Sequence, residues 1–168
     1  QQYDSVKSAL NALFASCKLA SLNPKSAYVV ERAKLSADDA IFKRDYNNKI
    51  LIIEPDEALN FLLKTTGEMQ GYEVAASQEY DHAMNLIKSF EPALIVMDAG
   101  DAETLKGLAL CQKLKKDENF KDIKIILSTI VHDKKLVLNT GADIYLPKPY
   151  ELLSIFNWIE RLIKDFNM

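Results

Sequence analysis

The chain has 168 residues, 48% hydrophobic and 27% charged, with 21 basic against 24 acidic side chains for a net charge of −3. That composition belongs to a globular domain with a sizeable core and a short appendage, and the interspersed charges offer no basic stripe for nucleic acid. No apolar run approaches the roughly 20 residues needed to cross a bilayer and no signal peptide heads the chain, so no membrane partner and a cytoplasmic location are expected. Residues 1–47 form the appendage, a mainly helical extension or linker. Asp4 can cap a first helix striped by Val6, Leu10, Leu13, Phe14 and Cys17. Asn23-Pro24 opens a second, Ser36 with Asp39 a third, and Tyr28-Val29-Val30 reads equally as a strand. So short a helical piece cannot bury its own stripe, and it is expected to pack on the next domain, on an upstream one, or on a second copy as a homodimer.

From residue 48 the pattern alternates strand and helix. Ile50–Ile53 is a first strand, and Glu57 to about Gln70 a helix facing inward with Leu59, Leu62, Leu63 and Met69. Tyr72–Ala76 is a second strand, Gln78–Phe90 a second helix. Ala93–Met97 is an unbroken apolar strand that stops at Asp98, and a third helix includes Leu108–Lys116 with Leu110, Cys111 and Leu114 inside. Ile123–Leu127 is the fourth strand. A short helix around Leu136–Asn139, a fifth strand at Ile144–Leu146 and a long last helix over Tyr150–Phe166 complete the chain. Strands separated by helices of this length give a doubly wound α/β sandwich on a five-stranded parallel sheet. The two cysteines, Cys17 and Cys111, match no metal spacing and are expected to be reduced and buried.

Polar groups stand where the strands stop. Glu54 and Asp56 follow the first strand, Asp98 the third, Ser128 and Thr129 the fourth, and Lys148 the fifth. That edge of an open α/β sheet is where ligands bind. Clustered carboxylates repel unless a cation intervenes, and oxygen-only ligation favours Mg²⁺, here through Glu54, Asp56 and Asp98. A lysine facing an aspartate offers a point charge to a phosphoryl oxygen and a hydroxyl offers a hydrogen bond, which equips Asp98 to carry an acyl phosphate. Asp56 serves equally as the N-cap of the first domain helix. His82 and His132 carry little weight, as a lone surface histidine usually faces solvent. Leu153 and Trp158 flank the stripe of the last helix and belong either to the packing or, if the Trp is exposed, to a partner surface.

The strings Ile50-Leu-Ile-Ile-Glu-Pro-Asp56, Leu94-Ile-Val-Met-Asp98, Ile125-Ile-Leu-Ser-Thr129 and Gly141-Ala-Asp-Ile-Tyr-Leu-Pro-Lys-Pro149, in this order, resemble a two-component response-regulator receiver domain of the CheY type over residues 49–166. The resemblance implies that Asp98 is the phosphoacceptor, Lys148 the lysine of the site, Ser128 the switch hydroxyl with Thr129 as alternate, Tyr145 the switch aromatic, and Glu54 the first of the acidic pair. It implies phosphoryl transfer with Mg²⁺ from a histidine kinase or phosphotransfer protein in a bacterial phosphorelay. Output would run to a protein or domain through the last two helices and fifth strand, or through the N-terminal helices. The implied role is a signalling module and not an enzyme.

Three departures fall on the same side of the domain. Pro55 stands where the family's second acidic residue binds metal, the loop Ala99–Thr104 lacks the usual proline and runs a residue longer, and the Ser128–Gly141 span is about two residues short. They favour an alternative, a degenerate pseudo-receiver that binds partners without phosphorylation, whereas intact Asp98, Ser128 and Lys148 oppose it. A haloacid-dehalogenase-like phosphatase needs a second aspartate where Gly100 stands, and a nucleotide or flavin site needs a Gly- or Ser-rich cradle where the first strand meets acid. The last helix runs almost to the final residue, so output is expected through protein contacts, the leading helices or sequence outside this chain.

Overall fold

The computed structural model describes residues 47–130 and 138–168, which belong to one compact unit, Tyr46–Met168. The helices expected before residue 47, Cys17, His132 and the first half of the helix around Leu136–Asn139 lie outside the described residues. The elements are β1 (Lys49–Ile53), α1 (Glu57–Met69), β2 (Glu73–Ser77), α2 (Ala83–Phe90), β3 (Leu94–Asp98), α3 (Lys106–Lys116), β4 (Lys124–Thr129), β5 (Ile144–Pro147) and α4 (Leu152–Phe166). The five strands form one parallel sheet in the order β2-β1-β3-β4-β5. Among the described residues no helix is long and apolar enough to cross a membrane.

The apolar runs of β1, β3 and β4 make sense as strands covered on both faces. Side chains alternate across a strand, so a strand between two helical layers must be apolar at every position. Ile52, Val96 and Ile126 are aligned on one face, where they meet Leu63 of α1 and Ile155, Phe156 and Ile159 of α4. Ile53, Met97 and Leu127 are aligned on the other, which packs with Ala83 and Ile87 of α2 and Cys111 and Leu114 of α3. Leu51, Ile53, Ile95 and Met97 are fully buried, each worth about 1.5–3 kcal/mol relative to exposure. Such a core fixes the register of the strands and, with it, the level at which each strand ends.

Two sequence expectations are corrected, and one left open is resolved. The second helix begins at Ala83 and not at Gln78, because Ser77 Oγ accepts from the Glu79 N–H at 3.0 Å and donates to the Glu79 carbonyl at 2.9 Å, turning the chain before a helix can start. Met69, expected inside, is exposed, while Asn60 is buried and donates from Nδ2 to the carbonyls of Glu54 and Ser77, both at 2.9 Å. Trp158 is half-buried against the core with the Arg161 guanidinium 5.6 Å from its ring centroid, so it contributes to packing, whereas Leu153 is exposed.

The string Gly141-Ala-Asp is structural. The Asp143 carboxylate accepts from the Ile125 N–H at 2.8 Å and pairs with Lys115 of α3 at 2.7 Å, joining β5 to β4 and to the helical layer. The Lys148 N–H donates to the Thr129 carbonyl at 2.8 Å at the opposite end of β5. The Lys148–Pro149 peptide bond is cis.

Candidate functional site

The site is built where β1, β3, β4 and β5 end. Asp98 is in register with Ser128, and Glu54 follows Ile53, the partner of Met97. Lys148 follows Pro147, the partner of Thr129. The alignment brings one ammonium between two carboxylates: Lys148 Nζ lies 2.7 Å from Glu54 Oε2 and 2.8 Å from Asp98 Oδ1. The side chains of Glu54, Asp98 and Lys148 are 4%, 15% and 19% exposed, so water screens this triad poorly. Burial works against the charged lysine, but the hydrogen bonds it donates to Asp98 and Glu54 outweigh it and hold the ammonium's pKa above its usual value.

Each remaining carboxylate oxygen has a donor. Glu54 Oε1 accepts from the Asp56 N–H at 3.1 Å. Asp98 Oδ2 accepts from the Gly100 N–H at 2.8 Å and from the Tyr80 hydroxyl at 3.0 Å. The backbone beneath Asp98 is fixed by close approach, since a Cβ on Gly107 would stand 1.8 Å from the Asp98 carbonyl oxygen. Gly100 has φ +99°, a left-handed conformation that glycine adopts without a steric penalty. The long loop after it is shaped by Asp101, whose Oδ1 accepts from the N–H groups of Glu103 at 2.9 Å and Thr104 at 2.8 Å. Those bonds, with Thr104's first, pull the Asp101 carboxyl below its ordinary pKa.

The residues expected at the site divide. Asp98, Glu54 and Lys148 are brought together. Ser128 and Thr129 are buried at the end of β4, and the Ser128 hydroxyl makes a long 3.5 Å contact to the Met97 carbonyl. Tyr145 is half-buried on β5 beside Leu127, and burial raises its pKa. Asp56 does not join a three-carboxylate set: it is exposed, and its Oδ1 accepts from the Leu59 N–H at 2.7 Å as the N-cap of α1. The free N–H groups at the helix start are stronger claimants on it than a site reached past Pro55. Among the described residues no three acidic, histidine or cysteine side chains gather as a metal site. Glu54 and Asp98 remain, two hard oxygen donors at one point, which fits Mg²⁺ because that ion takes one or two carboxylates and fills its other positions with water and phosphate.

Two tyrosines escaped the sequence reading. The Tyr80 hydroxyl lies 3.0 Å from Asp98 Oδ2 and 3.1 Å from the Asp98 carbonyl, brought there by the late start of α2. Burial first, then the charge of Asp98, pushes its pKa far up, so it stays a donor. The Tyr150 hydroxyl is buried with no hydrogen-bond partner among the described residues. Desolvation raises it to about 12, against the opposing pull of Lys148 and of the neighbouring Ser128 hydroxyl, while Glu54 and Asp98 raise it further. An orphaned buried hydroxyl beside a lysine and two carboxylates is a donor short of an acceptor.

A parallel five-stranded sandwich with a lysine-bridged pair of acids at the strand ends defines a CheY-like α/β domain. The family model of the response regulator receiver domain matches residues 50–160, and the chain belongs to that family. It is 30% identical over 119 residues to the DNA-binding dual master transcriptional regulator RpaA of Synechocystis sp., covering 69% of this chain and 49% of the relative. It is also 33% identical over 105 residues to the probable transcriptional regulator ycf27 of Cyanophora paradoxa, covering 61% and 42%. The chain thus spans about half the length of the curated relatives it matches. Among solved structures, the receiver domain of a histidine kinase from Syntrophus aciditrophicus is similar at TM-score 0.63 and 29% identity, covering 70% of this chain and 91% of that one. A CheY-like receiver domain from Methanospirillum hungatei shares the fold at TM-score 0.64 and 24% identity, covering 71% and 95%. Receiver domains generally bind Mg²⁺ for phosphorylation and interact with histidine kinases and output domains.

Proposed function

We propose that this chain is a phosphorelay receiver whose Asp98 accepts a phosphoryl group. The observation that carries the reading is Lys148 shared between Asp98 at 2.8 Å and Glu54 at 2.7 Å on the rim of the sheet. In the reaction a carboxylate oxygen of Asp98 attacks phosphorus and the P–N bond of a phosphohistidine on a histidine kinase or phosphotransfer protein breaks. The electron pair leaves with the imidazole, which takes a proton from solvent. Lys148 meets the phosphoryl charge, and Ser128, whose contact to the Met97 carbonyl is a long 3.5 Å, can bond a phosphoryl oxygen. The Tyr150 hydroxyl, without a hydrogen-bond partner among the described residues, supports the same reading, as an oxyanion in the pocket gives it an acceptor. Mg²⁺ held by Glu54 and Asp98 would offset phosphoryl charge. Tyr145 on β5 is then the half-buried group that feels a change at Lys148, and the signal passes to an output protein or domain by protein contact.

Incubation of the chain with Mg²⁺ and acetyl phosphate, followed by intact mass, tests this. One added phosphoryl group that disappears in Asp98→Asn is the expected result. No gain, or a gain retained in Asp98→Asn, overturns the reading; the former outcome is the one a phosphorylation-independent interaction module gives.

A further inference from the structure

The Tyr80 hydroxyl is the one side-chain donor, apart from Lys148, that the described residues place on the Asp98 carboxylate, at 3.0 Å from Oδ2. Its position is prepared by the surrounding backbone. The Ser77 turn delays α2, the Ala83 N–H donates to the Tyr80 carbonyl at 3.1 Å, and Asp81 next to it pairs with Lys106 at the start of α3 at 3.8 Å. The ring thus reaches across from the β2–α2 connection and rests its hydroxyl on both the backbone and the side-chain oxygen of Asp98.

We propose that Tyr80 restrains Asp98, holding it in the free carboxylate form and shortening the life of its phosphorylated form. This rests on the reading of Asp98 as phosphoacceptor. A hydrogen bond to an ionised oxygen is roughly twice as strong as one to a neutral oxygen. Phosphorylation removes the carboxylate charge: if phosphorus bonds Oδ1, Oδ2 becomes a carbonyl oxygen, and if it bonds Oδ2, that oxygen becomes an ester oxygen and the hydroxyl must leave. Either way the Tyr80 bond weakens on phosphorylation and strengthens again when water attacks phosphorus and the P–O bond breaks, its electron pair returning to the carboxylate. Phosphoryl transfer passes through a loose transition state in which the leaving oxygen has already gained much of its charge. The hydroxyl therefore favours loss of the phosphoryl group more than it hinders its arrival.

The test compares the full chain with Y80F, which keeps the ring and removes the donor. Both are phosphorylated with acetyl phosphate and Mg²⁺, the donor is removed, and the phosphorylated fraction is followed by intact mass. In this step phosphorus passes from the acetyl oxygen to the Asp98 oxygen and acetate leaves with the electron pair, so no proton is required. Y80F is expected to lose its phosphoryl group about five-fold more slowly, with a smaller change in the rate of gain. Difluorotyrosine at position 80, nearly isosteric with tyrosine and a stronger donor, is expected to hasten the loss, which keeps the proposal testable if Y80F does not fold. Equal or faster loss in Y80F overturns the proposal while leaving Asp98 as acceptor; no phosphoryl group on either chain overturns both.

Discussion

Replacing Lys148 with methionine leaves two carboxylates in a nearly dry pocket without their counter-ion. Removing one partner of a buried pair costs about 3–5 kcal/mol. With Asp98 15% and Lys148 19% exposed, some screening by water survives and the expected loss is about 2–3 kcal/mol. For a domain of this size that corresponds to a fall in Tm of roughly 10 °C. Urea denaturation followed by circular dichroism measures the change as a lower midpoint at constant slope, since the surface exposed on unfolding is the same. The double variant Glu54→Gln with Lys148→Met is expected to recover about half the loss. Glutamine removes one of the stranded charges and still accepts from the Asp56 N–H. A loss below about 0.5 kcal/mol in Lys148→Met, the range of a solvated surface pair, would refute the reasoning that this triad is buried and mutually dependent.

Gly107→Ala is expected to be among the most damaging small substitutions, because its Cβ would overlap the Asp98 carbonyl at 1.8 Å; a cost of more than about 2 kcal/mol in the same titration, with phosphoryl gain also impaired, is the anticipated result. Alkaline pH provides a third check. The folded-state pKa values of Lys148 and Tyr150 are raised, so the stability they contribute is fully present below the unfolded values, about 10 for each, and is lost as pH rises through the folded ones. Stability measured by urea midpoint should thus be level near neutrality and fall above about pH 10. Tyr150→Phe should flatten that fall up to about 12, and an unchanged slope would contradict the burial of its hydroxyl.

The sandwich was legible because its three central strands are apolar at every position, a pattern that only a sheet covered on both faces requires. Asp98 and Glu54 were legible for the related reason that each interrupts such a run abruptly, and Lys148 because it follows the fifth strand within the Gly141–Pro149 string. Asp56 was ambiguous in the sequence, where an N-cap and a ligand look alike; the exposed N–H groups of α1 decide it. Tyr80 was hidden because Gln78–Phe90 reads as one continuous helix. Its only local clue is Ser77, whose hydroxyl can turn the chain two residues on and compete with helix formation. Tyr150 carried no signal of its own, as its importance comes from neighbours contributed by β1, β3 and β4.

β5 has four residues and a single neighbouring strand, so its own ladder holds it weakly. It hangs like a cord pegged at both ends: Asp143 fastens one to Ile125 and Lys115, and Lys148 fastens the other to the acids at the rim. The two pegs differ in kind, since the first is closed among protein groups and the second is a cation that any arriving anion competes for. An anion that draws on the second would act at the outer end of the strand, while the first ties the inner end to β4 and α3.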